Sequence, residues 1–570
     1  MMRDFGEEKA LNQSPFFTGL NGFDSDPVLL RLCRHLPEEI QDSLRELGEW
    51  TGSSEAIELA QLANSEIPRL KTHDAKGNRL DVVQFHPAWH SLMEKSVSFG
   101  LHCSVWDDDE REKGYRNFTR AVRYILMAAT DCGHLCPMTM TNASVGALRA
   151  APDLLSQWLP KITSRRYDGS QKPVEEKTGV QIGMGMTEKQ GGTDLRANIS
   201  RAKKDGNRGW RINGHKWFMS APMGDAFLIL AHIDEPDALE KPEEGNRERF
   251  SGQPSCFLVP RLLPDGSKNG LNFLRLKDKL GNRSNASSEV EFNNSLAEII
   301  GEPGKGLRVI LEMVTLTRLD CATASAGLMR AALAEAVFHC RHREVFGKKL
   351  IDQPIMTGVL ADMGLDVAGA VALSLRLARS FDLASSSKAE AAYARLMTPA
   401  IKYWICKSAP VLIGEAMECL GGNGYVEEGN LARHYREAPV NSIWEGSGNV
   451  MCLDVLRVLI KNPENLAVVL DMLAGDLGEA GGQIIDELRR GAANFVENEG
   501  MARIFVERLA MGGAAAELLR SVDYGLAAAF IDTRLNGRWR ATYGMLPPDF
   551  NAREIVEFIC PENKAHVVLQ

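Results

Sequence analysis

The chain has 570 residues, 44% of them hydrophobic and 25% charged, with a formal net charge of -9. Its length predicts about three or four domains, and its negative charge excludes a general attraction to nucleic acid or anionic lipid. The eleven cysteines are irregularly spaced, which indicates reduced thiols in a cytoplasmic protein. The N-terminus lacks the apolar segment of a signal peptide. No uncharged apolar run reaches the roughly 18 residues of a membrane span, so we expect no membrane partner.

The pattern of apolar and turn-forming residues changes several times along the chain. Residues 1 to about 25 read as an irregular arm, and helical patterns dominate from Asp26 to about Leu159, including a helix that begins at Pro152. We therefore divide the chain into residues 1–179 (N-terminal arm and helical domain), 180–302 (middle β-domain), 303–462 (helical bundle) and 463–570 (additional helical C-terminal domain). The fold class is α+β.

The middle region contains short β-type runs. Predicted strands are 180–187, 226–233, 255–260, 271–276 and 288–292. The segment 210–219 is a hairpin candidate, because Asn213-Gly214 is a dipeptide that tolerates positive φ at both turn positions. Residues 234–254 read as a surface loop. The predicted helices of the next block are 306–342, 354–385, 388–418 and 448–461.

Two familiar site types are absent from the sequence. The run that starts at Gly183 begins like a dinucleotide fingerprint, but Glu188 occupies the third glycine position and no helix pattern follows. His339 and His342 lie three apart, yet arginines flank them, and cations disfavour a metal. We therefore expect neither a Rossmann domain nor a metal site.

Two segments of the β-region could contact a ligand. Met186-Thr187 and Gly191-Gly192-Thr193 offer backbone N–H groups and hydroxyls that could bind the polar edge of a ring or a phosphate, or they could form a plain connecting loop. In the strand Trp217-Phe218-Met219-Ser220, alternation places Phe218 and Ser220 on one face and Trp217 and Met219 on the other. That face could hold a ligand, or the strand could simply be core.

The helical block contains three further candidates. Arginines and lysines cluster around Arg343, where a helix ends near Gly347; they could offset the helix dipole or bind a pyrophosphate. A second glycine-rich loop contains Gly421-Gly422. In the third, Glu445 follows Trp444, and Ser447 could cap the next helix. A carboxylate beside an indole can have a raised pKa and act as a general base, or it can be an ordinary loop glutamate.

Taken together, these motifs resemble the acyl-CoA dehydrogenase family of flavoproteins over about residues 80–460. The similar segments are 186–188 with 192–194, Gly-His-Lys-Trp-Phe-Met-Ser from Gly214, Lys-Leu-Gly-Asn-Arg-Ser from Lys279, Arg-Glu-Val-Phe-Gly from Arg343, Leu-Gly-Gly-Asn-Gly-Tyr from Leu420, and Trp-Glu-Gly-Ser from Trp444. Within the family, the sequence is most similar to the AidB-like, alkylation-response branch, whose members carry an extra C-terminal helical domain.

The resemblance implies an acyl-CoA dehydrogenase-like fold: N-terminal helical domain, middle β-barrel-like domain, C-terminal helical bundle and an extra C-terminal helical domain. It implies FAD as cofactor. The implied FAD-binding residues are Met184, Met186, Thr187, Gly192, Thr193, Phe218, Ser220, Arg343, Phe346, Gly421, Gly422, Ile443, Trp444, Ser447 and Asn449. Arg343 and Phe346 would reach the FAD of a neighbouring subunit, which implies a homotetramer.

The implied reaction is α,β-dehydrogenation of an acyl-CoA. Glu445 would be the catalytic base, and Arg318 would order or balance charge around it. A short or branched substrate such as isovaleryl-CoA, and an electron acceptor such as an electron-transfer flavoprotein, follow from the same resemblance.

Two alternatives stay open. The AidB-like branch is associated with duplex DNA binding and protection against alkylation damage through its C-terminal domain. Here, however, residues 461–570 contain 11 Lys/Arg against 16 Asp/Glu, although Arg489-Arg490 and the run containing Arg534, Arg538 and Arg540 are basic patches. The chain could also bind FAD with an acyl pocket too closed for CoA esters.

Overall fold

The structure is a computed structural model that describes residues 12–206, 209–234, 253–537 and 550–562. The chain divides into two compact units. We call residues 55–320 the barrel unit and residues 1–54 with 321–570 the bundle unit. Each unit is described separately below.

The described residues of the barrel unit form nine strands. They are β1 (Arg69–His73), β2 (Arg79–Gln84), β3 (Ile182–Gly185), β4 (Arg201–Lys204), β5 (Trp210–Ser220), β6 (Ala226–Ile233), β7 (Ser255–Pro260), β8 (Leu271–Leu276) and β9 (Ser287–Ile300). Five of them close a ring, in which β6 pairs with β4, β4 with β5, β5 with β9, β9 with β7, and β7 again with β6. β3 adds to β6 and β8 adds to β9. The predicted β-barrel-like middle domain is therefore confirmed.

Strand β6 explains why the region reads as a continuous apolar run. Phe227 and Ile229 belong to the core inside the barrel, whereas Leu228 and Leu230 belong to a second core shared with nearby helices. A strand buried on both faces needs no polar alternation. β6 is therefore the strand around which both cores of this unit are built.

The helices of the barrel unit are α3 (Ser54–Ser65), α4 (Pro87–Ser98), α5 (Arg116–Ala128), α6 (Leu135–Leu148) and α7 (Pro152–Ile162), followed by the start of α8 (Gly306–His342). Residues of α6, α7 and α8 form the second core together with Leu228 and Leu230. Pro152 is in the first turn of α7, as predicted. The sequence analysis missed the β1–β2 hairpin. Its signal was the turn at Asp74, whose carboxylate accepts hydrogen bonds from the N–H groups of Lys76 and Asn78.

The predicted hairpin at 210–219 is wrong, because β5 runs without a turn from Trp210 to Ser220. Asn213-Gly214 instead lies at a bulge, where the register with β9 shifts between Ile212 and Gly214. Gly214 has a φ of 153°, and a Cβ there would lie 2.3 Å from the Ser200 Oγ. A glycine is needed at position 214 because Ser200 lies too close to leave room for a side chain. Positive φ is available to glycine both in this bulge and in a turn.

A buried ion pair between Glu188 and Lys216 ties the loop after β3 to the barrel wall. The Lys216 Nζ lies 2.6 Å from the Glu188 Oε1 and also donates to the Leu230 carbonyl at 2.8 Å. The Glu188 carboxylate further accepts from the N–H groups of Ile199 and Ser200 and from the Ser200 hydroxyl. Both charged side chains are fully buried. The pair therefore connects β5, β6 and the loop before β4.

Burial and pairing act in opposite directions on these two groups. Burial raises the pKa of Glu188, but the Lys216 ammonium and the Ile199 N–H outweigh it, and the pKa is lower than usual. Burial lowers the pKa of Lys216, and the Glu188 carboxylate only partly offsets this. Since the folded-state pKa of Glu188 is depressed, its stabilisation is present above the unfolded pKa of about 4.3 and is lost as the pH falls through the folded pKa.

Within the part that the structure describes, the bundle unit is helical except for one small hairpin. Its helices are α1 (Pro27–Cys33), α2 (Glu38–Thr51), the remainder of α8, α9 (Pro354–Leu383), α10 (Lys388–Cys419), α11 (Gly422–Tyr425), α12 (Leu431–Asn441), α13 (Gly448–Lys461), α14 (Glu464–Leu477), α15 (Gly481–Glu497), α16 (Ala502–Ser521), α17 (Tyr524–Phe530) and α18 (Ala552–Ile559). The hairpin strands are β10 (Glu344–Val345) and β11 (Lys348–Lys349). The four helices predicted for this block are confirmed, with shifts of one or two residues at the ends of α9 and α10.

The C-terminal helices pack onto α9 and α10. Just after α17, the buried Arg534 guanidinium lies 2.6 Å from the Asp362 Oδ1 and 3.0 Å from the Asp366 Oδ1, both on α9. Helices α8 and α9 are long and apolar enough to cross a bilayer, yet most of the apolar window of each is buried inside the protein. Their apolarity is accounted for by the packing of the bundle.

Glu188→Gln should destabilise the protein by about 3 kcal/mol, because Lys216 would keep a buried charge without its carboxylate. The measurement is urea unfolding at neutral pH. The difference from wild type should begin to shrink below about pH 4.3, where the unfolded chain takes up the proton, and should disappear as the pH falls through the lower folded-state pKa of Glu188.

The matched control is Asp194→Asn, because Asp194 pairs with Arg196 in the same loop while both side chains are more than half exposed. Its removal should change unfolding little. Equal effects of the two substitutions would contradict the role given to the buried pair.

Candidate functional site

The loop after β3 and the end of β5 form one platform in the barrel unit. The Trp217 N–H donates to the Thr187 carbonyl at 2.9 Å, and the Asn198 amide donates to the Met186 carbonyl at 3.0 Å. Thr187 and Trp217 directly flank the two members of the buried pair, Glu188 and Lys216. The pair therefore sets the position of both segments that the sequence predicted as ligand-binding.

The aromatic end of β5 departs from strict alternation. The register with β9 shifts between Lys216 and Met219, so that both Trp217 and Phe218 lie outside the barrel core while Met219 is fully buried. Phe218 is 49% exposed, and Ser220 is half-buried on the same side. The predicted shared face of Phe218 and Ser220 agrees with this burial, whereas Trp217 does not accompany Met219 because of the bulge.

A lysine covers part of these rings. The Lys277 Nζ lies 3.4 Å from the centroid of the Trp217 ring and 4.5 Å from that of Phe218, and it also pairs with Glu289 at 2.6 Å. A cation over an aromatic face is stabilised by the ring quadrupole. The sequence analysis missed both Lys277 and Glu289.

The remaining predicted residues of this platform are placed as follows. Thr193 and Gly192 are exposed, and a Cβ at Gly192 would lie 2.8 Å from the Thr187 Oγ1. Met184 and Met186 are partly buried and pack against the outer core. Arg318, on α8, is also buried in this unit. The platform thus offers hydroxyls, backbone groups and an exposed aromatic ring along one edge.

In the bundle unit, the β10–β11 hairpin presents an exposed aromatic ring. α8 ends at His342, as predicted for the helix 306–342, and the helix end suggested near Gly347 is instead the turn of the hairpin. Phe346 and Gly347 form the two-residue turn, with φ of 55° and 76°, and Phe346 is 96% exposed. The Arg343 guanidinium donates to the Asn12 carbonyl. A bulky residue at positive φ with its ring in solvent is uncommon.

The loop between α10 and α11 is open. Gly421 has a φ of 60°, and a Cβ on either Gly421 or Gly422 would meet nothing within 4 Å. The positive φ accounts for the glycine at position 421, and the absence of neighbours among the described residues leaves the loop accessible from outside.

The loop that carries Glu445 has an unusual backbone. Glu445 has a φ of 58° and Gly446 a φ of 100°, although glutamate disfavours this region. The buried Lys402, on α10, donates to the carbonyls of Trp444 at 2.8 Å and Gly446 at 2.6 Å. Strained backbone held by surrounding structure is characteristic of functional sites. Lys402 was not identified from the sequence.

The neighbours of Glu445 are also defined. The Trp444 indole N–H donates to the Asn441 side-chain oxygen at 3.0 Å, and Ile443 is 64% exposed. Ser447 is the N-cap of α13, but its hydroxyl makes no capping hydrogen bond. The Asn449 side-chain oxygen accepts from Arg503 at 2.8 Å, so a C-terminal helix contacts a predicted FAD-binding residue.

The platform of the barrel unit fits a flavin. A flat ring needs an exposed aromatic wall, which Phe218 supplies, and its polar edge needs hydroxyls and backbone N–H groups, which the loop at Thr187 and Thr193 supplies. The small residue Gly192 keeps the Thr187 hydroxyl uncovered, because any side chain there would fill that space.

Comparisons with known proteins identify the family of the chain. The model of the AidB N-terminal domain matches residues 12–169, that of the acyl-CoA dehydrogenase middle domain matches 183–295, and that of the acyl-CoA dehydrogenase C-terminal domain matches 304–460. AidB of Escherichia coli strain K12, named as an acyl-CoA dehydrogenase, is 43% identical over 508 residues, covering 87% of this chain and 88% of that protein.

Two further relatives come from Caenorhabditis elegans. Acyl-CoA dehydrogenase family member 11 is 33% identical over 447 residues, covering 77% of this chain and 70% of the relative. The crystal structure of C. elegans ACDH-11 in complex with C11-CoA superposes with a TM-score of 0.83 at 28% identity, covering 98% of this chain and 93% of that one. The chain belongs to the acyl-CoA dehydrogenase family, with an AidB-type N-terminal domain, and is an FAD-dependent oxidoreductase acting on acyl-CoA.

Proposed function

We propose that the protein catalyses α,β-dehydrogenation of a short or branched acyl-CoA, with Glu445 as the base. The observation that carries this proposal is the backbone of Glu445, a carboxylate-bearing residue held at a φ of 58° by a buried lysine. Residues held in such disfavoured backbone conformations cluster at functional sites, and this supports a catalytic role for Glu445.

The chemistry requires help beyond a carboxylate. The α-proton of a thioester is a weak acid, so proton removal by Glu445 needs hydrogen-bond donors at the carbonyl oxygen where negative charge develops. The Glu445 backbone N–H is one such donor. As the family resemblance implies, we assign to Arg318 an ordering or charge-balancing role.

FAD, when bound, accepts the β-hydrogen as hydride. Around it, Phe218 and Ser220 would line the ring, and Met186 and Thr187 would contact its polar edge. The further residues that we assign to FAD are Met184, Gly192, Thr193, Arg343, Phe346, Gly421, Gly422, Ile443, Trp444, Ser447 and Asn449. Three of these residues, Phe346, Gly422 and Ile443, are exposed to solvent, which supports their contact with a ligand or a second subunit.

The substrate assignment starts from isovaleryl-CoA. The competing case is a longer chain, because ACDH-11 is described in complex with C11-CoA. We also propose a cytoplasmic homotetramer that passes its electrons to an electron-transfer flavoprotein. The nearly fully exposed Phe346 supports the tetramer, since such a ring gains most when a second copy covers it.

DNA binding is the second candidate, and the charges do not favour it. Arg534 is buried and paired with two aspartates, so it cannot contact phosphate. This corrects its assignment to a basic patch. Arg489 and Arg490 are exposed, but Arg489 pairs with Asp486. Arg538 and Arg540 lie outside the described residues.

Glu445→Gln should abolish flavin bleaching by isovaleryl-CoA under anaerobic conditions while FAD stays bound, because the variant lacks a base but keeps the loop. The measurement is the loss of flavin absorbance, compared among isovaleryl-, butyryl- and undecanoyl-CoA with wild-type protein. The control is Glu464→Gln, an exposed glutamate at the start of α14.

Bleaching by the Glu445→Gln variant at the wild-type rate would place the base elsewhere. Bleaching of wild type by undecanoyl-CoA alone would reject the short-chain assignment, and bleaching by no acyl-CoA would indicate a closed pocket.

In a gel-shift titration, duplex DNA should bind only at low salt, with affinity lost between 50 and 200 mM salt by about 1000-fold or more, as expected when phosphate contacts dominate. Tight binding at physiological salt would favour DNA protection as the main function. Arg489→Ala with Arg490→Ala tests whether the exposed pair contributes.

A further inference from the structure

Lys402 is a buried cation whose partners are backbone carbonyls. Its side chain is 1% exposed, and its Nζ donates to the carbonyls of Trp444 and Gly446. Among the described residues, no carboxylate lies within ion-pair distance of this ammonium. A buried charge is costly unless it is well hydrogen-bonded, so a lysine at this position requires a reason.

The two carbonyls flank Glu445. The Trp444 carbonyl belongs to the peptide that ends in the Glu445 N–H, and the Gly446 carbonyl lies one residue beyond it. Because the described peptides are all trans, the carbonyl and the N–H of one peptide point in opposite directions. When Lys402 holds the Trp444 carbonyl toward α10, it directs the Glu445 N–H away from α10.

A charged donor on the Trp444 carbonyl also changes the hydrogen-bond donor strength of the N–H group in the same peptide. A hydrogen bond from an ammonium to a carbonyl polarises the amide and makes its N–H a better donor, since linked hydrogen bonds strengthen one another where water is excluded. The same ammonium fixes the Gly446 carbonyl. Together the two bonds prevent the peptide rotations that would relieve the positive φ of Glu445.

We infer that Lys402 is a positioning residue that orients and polarises the Trp444–Glu445 peptide, so that its N–H stabilises negative charge on the substrate thioester carbonyl. This rests on the proposed function of Glu445 as base. Lys402 transfers no proton. It increases the acidity of the substrate α-proton indirectly, because the peptide group that it orients stabilises the negative charge left on the thioester carbonyl.

The first test uses the substrate-free protein. Amide hydrogen exchange of segment 442–447 should be about tenfold faster or more in Lys402→Met than in wild type, because the loop loses the donor that holds it. Lys402→Arg, which keeps the charge and donors, should restore much of the protection. Lys388→Met is the control, since Lys388 is an exposed lysine on the same helix. Unchanged exchange in Lys402→Met would overturn the proposal.

The second test separates polarisation from simple loop support. A 3-thia-acyl-CoA has no β-hydrogen, so it can lose its α-proton without passing on hydride, and its enolate gives a long-wavelength absorbance band beside bound flavin. In Lys402→Met the pH midpoint of this band should rise by about one unit or more, with ligand affinity within about threefold of wild type. Lys402→Arg should return the midpoint toward wild type.

The outcomes distinguish the two proposals. An unshifted midpoint in Lys402→Met, with the band still formed, overturns the role of Lys402 and leaves Glu445 as base. A band that forms equally in Glu445→Gln overturns Glu445 as base. If wild type gives no band, the proposed function fails and the role of Lys402 falls with it.

Discussion

The ion pair of Glu188 and Lys216 is the interaction on which the barrel unit's ligand platform depends. Two buried charges are stable together when further hydrogen bonds support the pair, and here those bonds come from the backbone of the next loop and of strand β6. An apolar contact would avoid the desolvation of two charges and could pack as well, but it would not fix the orientation of the two segments. The Glu188 carboxylate holds the loop before β4. The Lys216 ammonium holds β5 next to its two aromatic residues.

The bundle unit uses the same principle with a different acceptor. Lys402 is as buried as Lys216, but it binds carbonyls that follow the C-terminal end of α12, where the helix dipole is negative. In both units, a lysine within a regular element holds an irregular segment that carries candidate site residues. Rigid elements thus position loops by single charged contacts rather than by extensive packing.

Much of this architecture could be predicted from the sequence. The ends of α8, α9, α10 and α13 agree with prediction within about two residues because apolar periodicity over long helices is a strong signal. Both ends of β7 and of β8 also agree with prediction. Each of these strands is a short, mainly apolar segment between turn residues, which is the sequence signal of a strand. The site residues 186–187 and 217–220 were recognisable as segments. The contact between these two segments was not predicted, because it depends on the pairing of Glu188 with Lys216, which no local pattern indicates.

The errors share a cause in tertiary structure. Asn213-Gly214 has the local preference of a turn, and only the approach of Ser200 turns it into a bulge. Arg534 reads as part of a basic patch, and only the aspartates of α9 reveal it as core. Neither partner is near in sequence, so no local pattern could have indicated it.

The contact between Asn12 and the β10–β11 hairpin has a consequence for self-association. The Asn12 side-chain amide donates to the Glu344 carbonyl and accepts from the Glu344 N–H, both at 2.8 Å. It thereby reproduces the hydrogen bonds of a neighbouring strand with a side chain. A two-stranded ribbon with open edges invites pairing with other chains. Here one residue occupies the outer edge of β10 at Glu344, so this edge does not offer its backbone groups for pairing with another chain beside the exposed aromatic turn.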